Sequence, residues 1–207
     1  MGFVLVFLLF SLWFMQTVIP FIKIMEDRAE CAEDKVDENT YPLVHLVGDT
    51  KVLFKTDTNQ EVILESFKRN FEQFKEAGYG FLIDGLYKVK TLKNPRYGTY
   101  YLHTKNISVT NTSDNDEFYD YVITHEIGHK LYYVHLSKEE KKLIHDEFRA
   151  KSSFSWLFGY KFFPSEYSKI NEFEWFAEVF SYYFRGKLIE EFADTNIVAI
   201  INKHKEI

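Results

Sequence analysis

The sequence predicts an α+β fold, with a small mixed sheet in the first half and a mainly helical C-terminal half. Three observations predict it. Between Tyr41 and Thr110, apolar and β-branched residues fall in short runs bounded by turn residues, as strands require. From Tyr121 onward the apolar spacing is helical, with helix-start signals at Ser137 and Asn171. Between these regions, His125-Glu126-Ile-Gly-His129 sets two histidines four apart inside a helical pattern.

The first element is the run from Phe3 to Ile22, which carries no charge and, apart from Ser11, Gln16 and Thr17, is apolar on every side. An amphipathic core helix would keep a polar face, so residues 1–28 read as a signal peptide or an N-terminal membrane anchor. The protein is therefore expected to be secreted, or tethered at the cell surface through residues 3–22. Residues 29–40 carry five acidic side chains against one lysine and read as an acidic, solvated linker. Residues 41–207 form one domain, long enough to bury a core of its own.

Within that domain, Leu43 to Val47 and Val52 to Phe54 read as strands joined by a Gly48-Asp49 turn. Apolar residues from Val62 to Phe74 recur at helical spacing, so a helix is expected over 61–77, stopping at Gly78. Phe81 to Val89 and Gly98 to Thr110 are expected as strands, the second leading into the histidine helix. His103 reads as a rim residue. Ser137-Lys-Glu-Glu140 opens a helix through about Ala150, and His145 on it reads as solvated. The aromatic run from Phe154 to Pro164 is expected in the core or on the cleft wall. Asn171 opens a buried helix ending near Gly186, and 188–193 and 195–203 read as closing helices.

Composition narrows the partners. The formal net charge is −6, and removing residues 1–28 deletes Lys23 and Arg28 along with Glu26 and Asp27, leaving it unchanged. No basic face is available to neutralise phosphates, which argues against a nucleic-acid partner. The single cysteine, Cys31, excludes an internal disulfide. An exported domain without disulfides fits a Gram-positive bacterium better than an animal secretory pathway. The chain is expected to act as a monomer.

The histidine pair carries the chemistry. Residues four apart on a helix share a face, so His125 and His129 can both offer an imidazole nitrogen to one zinc ion. Glu126 then lies beside a zinc-bound water and can take its proton. Two residues compete as third ligand. His135 has the metzincin spacing, but Tyr132 stands where that pattern needs a glycine turn, and Met1, Met15 and Met25 all precede the site. Glu174 shares a helix face with Glu178, amid Phe173, Trp175, Phe176, Val179 and Phe180. Carboxylates in so apolar a setting need a cation or strong hydrogen bonds, so Glu174 is expected to bind the metal while Glu178 orients a ligand histidine.

His125-Glu126-x-x-His129 followed by Tyr167 and by Glu174-Trp-Phe-Ala-Glu178 resembles the anthrax-lethal-factor-type zinc metallopeptidases, which include the secreted Pro-Pro endopeptidases of Gram-positive bacteria. The resemblance covers about Tyr121 to Phe184 and does not reach substrate preference. In lethal-factor-like and other H-E-x-x-H peptidases a strand such as Gly98–Thr110 borders the cleft, so an extended peptide is expected to pair with its residues 105–110. It implies a zincin-like, gluzincin-type metalloendopeptidase domain with one zinc ion per chain and a peptide or protein substrate. It implies zinc ligation by His125, His129 and Glu174, general-base catalysis by Glu126, oxyanion stabilisation by Tyr167 and an outer-shell role for Glu178. A non-catalytic targeting module of the same toxin-like kind would be expected to lack the base or a ligand, and this chain keeps them all.

Overall fold

Among the described residues the chain forms five strands and five α-helices. The computed structural model describes residues 40–92, 97–158, 163–187, 189 and 192–205, with the backbone only for 155–158. The expectations for residues 1–28 and for most of the acidic segment lie outside the described residues. The chain divides after Val36, and every described residue belongs to the unit from Asp37 to Ile207. Among the described residues no helix is long and apolar enough to cross a membrane.

The strands are β1 (Leu43–Val47), β2 (Thr50–Phe54), β3 (Leu86–Val89), β4 (Gly98–Tyr101) and β5 (Asn106–Val109). They form one mixed sheet in the order β1-β2-β3-β5-β4. The outer pairs are antiparallel, and the two inner pairings, β2 with β3 and β3 with β5, are parallel. The expected α+β class is therefore the observed one. Register aligns Val52, Tyr87 and Ile107 in one row and Phe54, Val89 and Val109 in the next, all on one buried face.

Helix α1 (Gln60–Glu76) crosses between the parallel strands β2 and β3 and covers that face. Its apolar stripe puts Phe67 and Phe71 against Tyr87, with ring centroids 5.1 and 4.9 Å away. It ends where Gly78 adopts a positive φ of 80°, as its sequence position predicts. Arg69 and Asn70 bind the Asp120 carboxylate at 2.8 and 2.7 Å, fixing α1 against α2 (Asp116–Lys130).

Two expected strands are divided. Within Phe81–Val89, the start belongs to a 3-10 turn (Gly80–Leu82), and only Leu86–Val89 is extended. Gly85, at φ 126°, makes the break, and buried Lys130 caps the turn by donating to the carbonyls of Leu82 and Asp84. Gly98–Thr110 is a hairpin rather than one strand, because Lys105 takes a left-handed φ of 59° and turns the chain back. β5 therefore has β3 and β4 as neighbours on its two sides, which rules out a substrate ladder with residues 105–110. The edge strand on this side of the sheet is β4, with β1 at the opposite edge. His103 is exposed in the hairpin turn.

The C-terminal half follows its sequence signals closely. A π-helical turn (Leu131–His135) extends α2 before the chain straightens at Leu136. Helix α3 (Lys138–Phe158) starts at the expected Ser137–Glu140 capping box and continues past Ala150, since no glycine or proline intervenes before Gly159. Of the aromatic run, Phe163 is buried against Phe148 while Phe154 is exposed, and the side chains from 155 to 162 lie outside the description. His145 is about half exposed and reaches Glu172 at 3.5 Å. Helix α4 (Glu172–Phe184) is buried along Trp175–Ser181, and α5 (Thr195–Lys203) closes the chain. The helix expected at 188–193 is described only at Ile189, Phe192 and Ala193, where the Phe192 and Ala193 amides donate to the Ile189 carbonyl.

Candidate metal centre

α2 and α4 meet along a seam of small residues. A methyl group added to Gly128 would stand 3.0 Å from the Ala177 Cα and 3.2 Å from the Phe180 ring. One turn earlier, the Thr124 and Ser181 hydroxyls are hydrogen-bonded at 2.6 Å. The helix backbones can approach this closely only because neither side chain at the crossing extends beyond a methyl. Asn171 sets the start of α4, its side-chain oxygen accepting from the Phe173 and Glu174 amides at 3.0 and 2.9 Å. The Glu174 carboxylate does not close a reciprocal capping box and turns instead toward α2.

There it meets both histidines. The Nε2 atoms of His125 and His129 each lie 3.1 Å from the same Glu174 oxygen, Oε2. The imidazoles stand nearly perpendicular, with ring centroids 4.8 Å apart. One ligand atom from each of the three residues falls within 4.8 Å of the others, close enough to hold one metal ion. Both histidines are buried, and their Nδ1 atoms have no hydrogen-bond partner. Burial works against the charge of Glu174, but the two imidazoles outweigh it and hold its pKa well below the usual carboxylate range.

The other expected site residues surround this cluster. Glu126 is buried beneath β4, where Gly98 leaves room for it: a Cβ there would stand 2.3 Å from Oε1. The Tyr100 backbone hydrogen-bonds the Glu126 carboxylate, while Oε2 is buried without a partner. Burial pushes its pKa up to about 8, with the nearby Glu174 charge adding to the effect and His125 opposing it. Tyr167 sits in a 3-10 turn (Tyr167–Lys169) with its ring 6.0 Å from that of His125 and half its surface exposed. On the His129 side, the Tyr133 ring lies 6.2 Å from the imidazole and stacks on Tyr100 at 6.1 Å.

One alternative falls away and one expectation needs correction. His135 does not join the cluster; its ring stands edge-on to Phe81 at 4.8 Å, so the metzincin arrangement is set aside. Glu178 is buried as expected but bonds neither histidine: it accepts hydrogen bonds from the Tyr121 hydroxyl and, at 3.1 Å, from Ser165 Oγ. No family model matches the chain, nor does any curated protein or solved structure.

The residues that sequence reasoning passed over are Gly98, Gly128, Ala177, Tyr121 and Ser165. Gly128 carried a usable signal, since a glycine in a helix interior costs stability and persists where something packs close. Gly98 and Ser165 carried none, because their roles depend on partners distant in the chain.

Proposed function

We propose that this protein is a zinc metalloendopeptidase with a zincin-like catalytic domain. The observation that carries this reading is the convergence of two histidine Nε2 atoms on one glutamate oxygen, with a second, buried carboxylate beside them under an edge strand. The donor set fits zinc: two neutral imidazoles and one carboxylate are common protein ligands of this borderline-soft ion, and three such ligands leave a coordination position open for chemistry. When bound, zinc supplies Lewis acidity, polarising a carbonyl and easing the deprotonation of water.

The chain's own residues do the rest. Glu126 accepts the proton of the attacking water at Oε2, the oxygen without a partner, and returns it to the leaving amine. Its other oxygen is steadied by the Tyr100 backbone. The Tyr167 hydroxyl donates to the oxyanion that develops on the scissile carbonyl. An extended peptide is best accommodated as a further strand on β4, the edge strand that packs along α2. The charge-free run at 3–22 supports export or surface tethering as the setting for this activity.

The test uses the full chain and its Glu126→Gln variant, each assayed for zinc and against a diverse peptide library. We expect one zinc per chain in both and hydrolysis only by the parent. A protein that takes up no zinc, or a Glu126→Gln variant as active as the parent, would refute the reading.

A further inference from the structure

We propose that Glu178 serves the Tyr167 loop and not the metal ligands, holding that loop in place through Ser165. The proposal rests on the peptidase reading for the importance of the Tyr167 hydroxyl, though the tether itself stands on geometry.

Glu178 lies one turn beyond Glu174 on α4 and is 1% exposed, so its carboxylate requires hydrogen-bond donors. Both donors reach Oε1: the hydroxyl of Tyr121, one turn before His125 on α2, and Ser165 Oγ at 3.1 Å. The histidine Nδ1 atoms, which a carboxylate orienting the ligands would engage, are partnerless. Ser165 in turn locks the segment that carries Tyr167. Its Oγ accepts from the Ser168 amide at 3.1 Å, and its own amide donates to Ser168 Oγ at 3.2 Å. Ser168 Oγ donates back to the Ser165 carbonyl at 2.7 Å. Tyr167 is thus enclosed between two interlocked serines, one of them bonded to a buried carboxylate.

The arrangement answers a physical need. With 49% of Tyr167 exposed, fixing the backbone beneath it helps to preorganise its hydroxyl. Glu178 joins α2, α4 and the 165–168 loop at one carboxylate, so the ligands and the oxyanion donor share a frame.

The experiment compares the zinc-loaded full chain with Ser165→Ala, Ser165→Thr, Glu178→Gln, Tyr167→Phe and the double variant Ser165→Ala/Tyr167→Phe. Three readouts are taken: zinc content, kcat and KM, and amide hydrogen exchange. Ser165→Ala is expected to lower kcat about tenfold with KM and zinc content unchanged, and Ser165→Thr to restore it. Added to Tyr167→Phe, Ser165→Ala should cost nothing further, because a residue that acts through one hydroxyl is silent once that hydroxyl is gone. In Ser165→Ala and in Glu178→Gln, the amides of Ser168, Lys169 and Ile170 should exchange faster while those of 125–129 keep their protection. Unchanged exchange at 168–170 overturns the tether, as does a Ser165→Ala loss that persists in full beside Tyr167→Phe. So does a Glu178→Gln variant whose main defect is zinc affinity. A parent chain that binds no zinc and cleaves nothing would defeat the peptidase reading, and the exchange data would still decide the tether.

Discussion

Glu126 is positioned by its surroundings: a glycine above it, a backbone hydrogen bond from Tyr100 on one oxygen, and burial around the other. Gly98→Ala would place a methyl group 2.3 Å from Oε1, so the carboxylate must move. We expect this variant to keep its metal and lose most of its hydrolysis, which zinc analysis beside a peptide assay would establish. Tyr167→Phe removes a single hydroxyl from a half-exposed ring. Losing one oxyanion donor typically costs about a hundred- to a thousandfold in turnover, and that loss with zinc content unaltered is the expected outcome. A Tyr167→Phe enzyme with full kcat would remove Tyr167 from the mechanism.

The packing of α2 on α4 is what makes the cluster. Gly128→Val would force side-chain atoms into the Ala177 backbone, and overpacking of this kind costs about 1–3 kcal/mol. Since the crossing separates Glu174 from the histidines as it opens, the variant should also bind zinc more weakly; thermal melts and metal titration would measure both effects. This seam also explains what the sequence could and could not disclose. The histidine spacing and the apolar residues around Glu174 are local periodic patterns, so the three residues of the cluster were legible before any fold was in hand. The capping residues Asn171 and Ser137 were legible for the same reason. The hairpin at Lys105 was not, because a lysine at positive φ has no sequence signature, and the edge strand was consequently misplaced from β4 to residues 105–110. The partners of Glu178 were equally hidden, since Tyr121 and Ser165 meet it across 57 and 13 residues of chain.

The described domain is closed by its last helix. Tyr79 donates to the Ile201 carbonyl at 2.9 Å, and Lys203 and His204 both reach the buried Glu140 carboxylate, at 2.8 and 3.2 Å. Burial disfavours the charge on Glu140, but Lys203, the Ser137 amide and His204 together bring its pKa down to about 2. A depressed carboxylate pKa contributes stability above the unfolded-state value of 4.5, and that stability is lost as pH falls toward about 2. Glu140→Gln should therefore lower the melting temperature at neutral pH and flatten its decline in acid; identical acid limbs for parent and variant would contradict this. On the proposed reading the fold is also linked to its metal, because an ion that binds only the folded chain stabilises it by mass action. Chelation should lower the melting temperature of the parent and leave Glu174→Ala unmoved.

The most direct measurement is anomalous diffraction at the zinc absorption edge from crystals of the zinc-treated full chain. One peak is expected per chain, within coordinating distance of His125 Nε2, His129 Nε2 and a Glu174 carboxylate oxygen. A peak elsewhere, or a fully ordered cluster with no peak at all, would contradict the account.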